Sequence, residues 1–214
     1  MDVSRVSLRS LTSTRQLDLP EFQVPPADPF ALAAEWIARA IDLGITEPGG
    51  IALATADASG EPSNRFVLLK GFDTSGLLFV TQTTSRKGRD LAANPRAAAT
   101  FYWQDLRLQL HLAGPVEMLP PEESDALFAP RPLGSKAVAA VSHQGQDLLD
   151  ENVFTAEVSR LIASAAQVDR PERWVGYRLK PVRFEFWHGA ADRMHQRLEY
   201  TLAAENWSWR RLQP

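Results

Sequence analysis

Between Asp28 and Gly44 the apolar residues Leu32, Trp36, Ile37, Ala40 and Ile41 recur at three- and four-residue intervals. This spacing predicts an amphipathic helix with those five side chains as its buried stripe. Asp28 is placed to cap it, Pro29 suits its first position, and Gly44 ends it. From Ile51 the period changes. IALATAD, NRFVLLKGF and GLLFVTQ read as three short strands joined by the turn-like segments ASGEPS and DTSG. A short helix over Ser85–Ala93 follows, then strands AAATFYW and LRLQLHLAGPVEML with a turn at Gln104-Asp105. Residues 120–168 read as helical: PPEESDALF begins with prolines and acids, and a longer amphipathic helix runs from about Asp147 to Ala166. Strand patterns return in WVGYRLKPVRFEFW, RLEYTLA and WSWRRL. Five strands arriving close together favour antiparallel pairing in a barrel or sandwich. Residues 1–28 read as a mobile arm and an extended, Pro-rich lead-in, and residues 29–214 as one domain.

One local pattern conflicts with simple helix electrostatics. Ser85 is a suitable N-cap, but Arg86 and Lys87 follow it. A helix N-terminus carries partial positive charge and four unsatisfied N–H groups, so acids are preferred there. Either both cations are solvated on a surface helix, or an anion sits on the helix end, where N–H groups, dipole and cations converge on it. Gly88 in the same turn would let a ligand approach closely.

The composition narrows the classes. The chain has 214 residues with net charge −3, so it is no basic nucleic-acid binder, and any anion must be held by a local cluster. It contains no cysteine, which removes thiol nucleophiles, disulfides and Cys-zinc sites and suits a reducing cytoplasm, the expected location. No apolar run approaches the ~20 residues of a membrane span, and the N-terminus lacks a secretory h-region, so no membrane association is expected. The histidines show no metal-binding spacing, and no P-loop or Rossmann glycine pattern occurs.

Two further constellations carry charge. Arg65 and Lys70 bracket FVLL, an apolar run without alternation that suggests burial on both faces. Five residues apart, they point to opposite faces of a regular strand and are either strand-end charges or ligand contacts. Arg193, His195 and Arg197 alternate, which on a strand puts all three on one face. There they repel unless an anion or carboxylates lie opposite; otherwise they decorate a solvated edge strand. Trp187 reads as core and His111 as structural.

Taken in order, RFVLLK, FVT, SRKGRDLAANPR, FW, R-x-H-x-R and a C-terminal RLQP resemble the pyridoxamine-phosphate oxidase family over roughly residues 17–214. Within it, LPEFQVPPADPF, GITEPGGIALATAD and WSWRRLQP are similar to the phenazine-biosynthesis oxidases. The resemblance implies a mainly β fold with flanking helices (α+β), an antiparallel, Greek-key-like split barrel that binds FMN and works as a homodimer with FMN at the subunit interface. It implies FMN contacts at Arg65, Phe66, Val67, Leu68, Val80, Thr81, Arg86, Lys87, Gln109, Gln144, Trp187 and Arg197. Arg86 and Lys87 fall on the phosphate. Substrate contacts are implied at Lys70, Arg131, Ser135, Arg193 and His195, the last two being the expected catalytic residues.

Two departures bear on the substrate. A phosphate-binding tyrosine of the vitamin-processing members falls on Leu127, and their Gln-Ser flavin pair becomes Gln144-Gly145. Losing a phenolic donor removes a charge-assisted hydrogen bond to a phosphate and leaves a wall better suited to a flat ring. The expected activity is therefore FMN-dependent oxidation of partly reduced (dihydro-, tetrahydro- or hexahydro-) phenazine carboxylates towards phenazine-1-carboxylic or phenazine-1,6-dicarboxylic acid. Dioxygen would be the acceptor and hydrogen peroxide the product. Pyridoxamine or pyridoxine 5'-phosphate oxidation, or flavin binding without catalysis, are the alternatives.

Overall fold

A computed structural model describes residues 15, 17–164 and 167–214. In chain order the elements are α1 (Pro29–Asp42), β1 (Gly50–Ala56), β2 (Pro62–Leu68), β3 (Gly71–Asp73), β4 (Gly76–Gln82), α2 (Arg86–Ala93), β5 (Arg96–Trp103), β6 (Leu108–Met118), α3 (Pro121–Phe128), α4 (Leu133–Val141), α5 (Glu151–Ser164), β7 (Trp174–Leu179), β8 (Arg183–His188), β9 (Gln196–Ala203) and β10 (Asn206–Arg211). They fall into two compact units, each assembled from separated stretches of chain. The expected N-terminal arm lies almost wholly outside the described residues.

The first unit takes its residues from Met1–Gly50, Thr100–Leu112 and Arg183–Pro214. Its strands run β10-β9-β8-β6-β5, with antiparallel registers such as Phe186↔Leu198 and Trp209↔Tyr200. Asp28 caps α1 by accepting from the Phe30 N–H at 2.9 Å. Leu32, Trp36, Ile37 and Ala40 are buried as expected. Ile41 is not: it is 57% exposed, because its position on the helix lies past the edge of the stripe that Trp36 and Ala40 define. Trp36 packs edge-on against Phe186 with centroids 5.1 Å apart. The lead-in is not simply extended. Pro20–Phe22 forms a 3₁₀ turn that buries Phe22 beside Trp36 and brings Glu21 to accept from the indole N–H at 2.6 Å.

The second unit comprises Ile51–Ala99 and Ala113–Val182, with strand order β3-β4-β7-β6-β5-β1-β2. Phe79 and Tyr177, paired across β4 and β7, stack at 5.5 Å in its core. Gly114 permits a close approach of β6 to the chain after β7, since a Cβ there would collide with the Lys180 carbonyl oxygen. NRFVLLKGF forms two elements rather than one strand: β2 ends at Leu68 and β3 begins at Gly71. The expected burial of FVLL is overturned within the chain, where Phe66 is 81% exposed and Leu68 is also exposed. Phe66 and Leu68 share one face of β2, which is exposed, while Arg65 and Val67 on the opposite face are half-buried. The long helix is shorter than expected. α5 begins at Glu151, where Asp150 accepts from the N–H groups of Asn152 and Val153, and no residue of α5 is fully buried. The last two residues of its expected range lie outside the described residues.

Gly114→Ala should destabilise the protein by more than about 2 kcal/mol, because backbone must move to admit the methyl group. Gly134→Ala has open space and should be neutral or stabilise by up to about 1 kcal/mol. Urea unfolding of the two variants checks the contrast.

Candidate active site

Most of the candidate residues lie in the second unit, where Arg65, Thr81, Arg86, Lys87 and Gln144 gather around the start of α2. Ser85 caps this helix: its hydroxyl accepts from the Gly88 N–H at 3.2 Å and donates to the Gln82 carbonyl at 2.7 Å. Gly88 has a different role from the one expected. A Cβ there would strike the carbonyl oxygens of Gln82 and Thr83, so glycine serves the close packing of the helix start on the β4–α2 turn and not a ligand's approach.

The two cations of this turn diverge. Arg86 reaches back to Glu61 at 3.0 Å, both side chains well exposed. Lys87 turns inward, and its Nζ donates to Thr81 Oγ1 at 2.9 Å. Among the described residues Lys87 makes no ion pair. Burial holds its pKa below the usual lysine value, and the nearby Arg65 charge lowers it further. A half-buried ammonium next to a guanidinium lacks an anion.

Arg65, on β2, donates to the Leu53 carbonyl at 3.1 Å, Thr55 Oγ1 at 2.8 Å and Ser63 Oγ at 2.5 Å. Buried Asp90 of α2 lies 3.7 Å from it and accepts from Thr55 Oγ1 at 2.6 Å. Burial lowers the Arg65 pKa, and Asp90 partly offsets this. Thr81 Oγ1 donates to Gln144 Oε1 at 3.2 Å, joining the cluster to the segment after α4. Val80, half-buried on the same strand, packs against the cluster of Phe128, Ala139 and Trp174, as does Leu127. Val67 is half-buried and Lys70 exposed, the latter's N–H donating to the Leu78 carbonyl.

Beside this cluster, a cavity of about 300 Å³ is lined by Gln82, Arg131, Ser135, Val138, Gln144 and Trp174, among others. The Arg131 guanidinium lies over the Trp174 ring at 4.9 Å and the Phe128 ring at 5.4 Å. Its Nη2 donates to the Ser135 carbonyl at 3.2 Å, while its buried Nη1 has no partner. Burial lowers its pKa.

The remaining candidates lie in the first unit, and the expected common face of Arg193, His195 and Arg197 is overturned. β9 starts only at Gln196, and Arg193 adopts a left-handed φ of 71°, so the alternation is broken before the strand begins. His195 Nδ1 accepts from the Ala190 N–H at 3.1 Å, which puts the proton of the neutral ring on Nε2. Its ring lies 5.0 Å from that of Trp187. Arg197 has carboxylate opposite it: buried Glu185 lies 2.7 Å away. Glu185, Arg183, Glu199 and Arg210 continue this ladder. Trp187 is half-exposed and not core, while His111 is held to Thr100 at 3.0 Å, as a structural histidine would be. Gln109 is half-buried on β6. Among the described residues no group of three His, Asp or Glu could hold a metal, and no helix is long and apolar enough to cross a membrane.

Residues 37–165 match the family model described as pyridoxamine 5'-phosphate oxidase, more than half of the chain. The chain belongs to the pyridoxamine 5'-phosphate oxidase family. Residues 174–214 match the model of the pyridoxine 5'-phosphate oxidase C-terminal dimerisation region. The chain is 38% identical over 205 residues to the dihydrophenazinedicarboxylate synthase of Pseudomonas chlororaphis, covering 96% of this chain and 92% of that protein. It is 43% identical over 189 residues to the pyridoxine/pyridoxamine 5'-phosphate oxidase of Bordetella petrii, covering 88% and 90%. The crystal structure of PhzG from Burkholderia lata in complex with tetrahydrophenazine-1-carboxylic acid superposes with a TM-score of 0.90 at 36% identity, covering 92% of this chain and 98% of that one. The fold is thus the mainly β, antiparallel split barrel that the family resemblance implied.

Within this family frame, the sequence reading missed the supporting residues. Thr55 and Asp90 orient Arg65, Ser85 ties α2 to β4, and Gln82 and Arg173 hold the end of α4. Ser85 was legible as a cap; a buried aspartate on a short polar helix gave no periodic signal. Arg65→Leu, which strands Asp90, should cost roughly 1–3 kcal/mol of stability. Arg65→Leu with Asp90→Leu should recover at least half of that loss, since the stranded charge is gone. A double-mutant cycle by chemical denaturation measures the coupling.

Proposed function

We propose that this protein is an FMN-dependent oxidase of partly reduced phenazine carboxylates. The observation that carries the reading is the half-buried Lys87 ammonium, without a carboxylate partner, at a serine-capped helix start beside Arg65. That arrangement suits a phosphate monoester, which would supply the missing negative charge and accept from the N–H groups at the head of α2. Lys87 and Arg65 would hold the phosphate of FMN, with Thr81 positioning the Lys87 ammonium; Arg86 would have to exchange Glu61 for it. When bound, FMN would supply the redox chemistry: two electrons and two protons would leave the substrate and reduce dioxygen to hydrogen peroxide.

The chain's own residues bind and orient. Arg131 lines a cavity together with Trp174 and Val138, and a guanidinium there fits a carboxylate on a flat hydrocarbon ring. Leu127, at the position of the family's phosphate-binding tyrosine, packs with Phe128, Ala139 and Trp174 and offers no donor. Lys70, Ser135, Arg193 and His195 are the further proposed substrate contacts, with His195 holding its proton on Nε2. Arg193 and His195 complete the proposed catalytic set. Phe66, Val67, Leu68, Val80, Gln109, Gln144, Trp187 and Arg197 complete the proposed flavin contacts. Exposed Phe66 and Leu68, and the match to a dimerisation region, support a homodimer with the FMN sites at the subunit interface. The 43% identity to the Bordetella petrii oxidase favours a second reading, pyridoxine 5'-phosphate oxidation. The missing donor at Leu127 opposes it.

Tetrahydrophenazine-1-carboxylic acid, added without oxygen, should bleach the flavin of the holoprotein, and air should restore it with hydrogen peroxide. Pyridoxine 5'-phosphate should do so at least tenfold more slowly; comparable rates would transfer the assignment to the second reading. Lys87→Ala should weaken FMN binding by roughly 10- to 100-fold, the loss of one charge-assisted contact of about 1.5–3 kcal/mol. Arg86→Ala should weaken it by less than about fivefold, because that side chain starts from an exposed ion pair. Fluorescence titration of the apoprotein gives both values.

A further inference from the structure

The last turn of α4 leaves backbone carbonyls that no later helical N–H can reach. Ser142 N–H takes the Val138 carbonyl at 2.9 Å. Arg173 donates to the carbonyls of Ala139, Ala140 and Ser142. The remaining hold comes from Gln82, a fully buried side chain at the end of β4. Its Nε2 donates to the Ser142 carbonyl at 2.9 Å and the Ala139 carbonyl at 3.3 Å. Its Oε1 accepts from the Gln144 N–H at 3.0 Å. The adjacent Thr81 takes the other end of Gln144, donating to its Oε1 while receiving Lys87 Nζ.

We propose that Gln82 is a positioning residue that couples the two halves of the site. It holds Gln144 and the C-terminal turn of α4, which wall the 300 Å³ cavity, in register with the Thr81–Lys87 cluster. Filling the cluster with a phosphate therefore orders the cavity wall, and filling the cavity reciprocally tightens the cluster. The proposal rests on reading these as the FMN-phosphate and substrate sites. The side chain required here must donate towards two carbonyls and accept from an N–H at once. A carboxamide does both; an ionised carboxylate only accepts, and a thioether does neither well. A residue that served the fold alone would stabilise every ligand state equally. Gln82 instead contacts a segment whose other partner is the ligand-binding cluster, so its effect depends on ligand.

The test is amide hydrogen exchange over residues 138–146 in the parent protein, Gln82→Met and Gln82→Glu, each with and without saturating FMN. In the parent, FMN should slow exchange of the Gln144 amide and the last turn of α4 at least tenfold. In Gln82→Met, FMN should still bind, but the slowing should fall below threefold. Gln82→Glu keeps an acceptor for the Gln144 N–H and loses the donor to α4, so Gln144 should stay protected while the last turn of α4 exchanges faster. This variant carries the comparison if Gln82→Met does not fold. FMN-saturated Gln82→Met should show KM for tetrahydrophenazine-1-carboxylic acid raised at least tenfold with kcat within threefold. Equal FMN-dependent protection in parent and variants, or no FMN-dependent protection in an FMN-binding parent, overturns the coupling. A parent that binds no FMN, or binds it and leaves the phenazine carboxylate unoxidised, overturns the functional reading; in the second case the exchange comparison still decides the role of Gln82.

Discussion

A buried charge must be answered by an opposite charge, and this requirement separates the cations of the chain into two kinds. In the first unit the answer is internal. Glu185 meets Arg197, and Glu199 meets Arg183 and Arg210, so these guanidiniums are balanced by residues of the same sheet. In the second unit, among the described residues, Lys87 meets hydroxyls but no carboxylate, and Arg131 has two aromatic faces, the Ser135 carbonyl and an unpartnered Nη1. Three other proposed functional cations, Arg65, Arg86 and Arg197, already face Asp90, Glu61 and Glu185. Under the proposed reading, the phosphate of FMN answers Lys87 and the substrate carboxylate answers Arg131.

The neutral residues around Lys87 form a relay of short polar contacts. Ser85 serves as helix cap and as a near neighbour of Thr81; Thr81 links Lys87 to Gln144; Gln82 links Gln144 to α4. Each is buried or partly buried, and each uses its polar atoms within the second unit. Such a network is rigid when every member is satisfied and costly when one is lost. The proposed ligand site therefore takes its geometry from β4, the strand whose Phe79 stacks on Tyr177 of β7 in the core. Core packing and ligand placement share one strand.

How far the sequence could reveal this depends on the kind of signal involved. The helices announced by caps, Asp28 for α1 and Ser85 for α2, were legible because capping acts over three residues. The first strands were legible as short apolar runs set off by turn-like segments. Three features were not. The Arg193–Arg197 alternation looked like a strand, but alternation says nothing about backbone dihedrals, and Arg193 at φ 71° breaks it. The FVLL run reads the same whether the chain's own core or another molecule covers it. Gln82 ends the apolar strand GLLFVTQ, where a terminal glutamine suggests solvent; only the fold brings the end of α4 to it, 60 residues later in the chain.

The same limit bears on the substrate. Identity is higher to a pyridoxine/pyridoxamine 5'-phosphate oxidase, at 43%, than to a dihydrophenazinedicarboxylate synthase, at 38%, so overall similarity does not rank the two reactions. The distinction must come from single positions that meet the substrate. A site built to hydrogen-bond a phosphate rejects a ligand lacking one, because buried donors are then left unpaired. A site lacking that donor gives up affinity for phosphate but has nothing to leave unsatisfied when a hydrocarbon ring enters. Leu127, packed with Phe128, Ala139 and Trp174, is of the second kind. In the proposed reading, one leucine packed against that cluster and one arginine over its rings therefore weigh more in the choice of substrate than the identity spread over the rest of the chain.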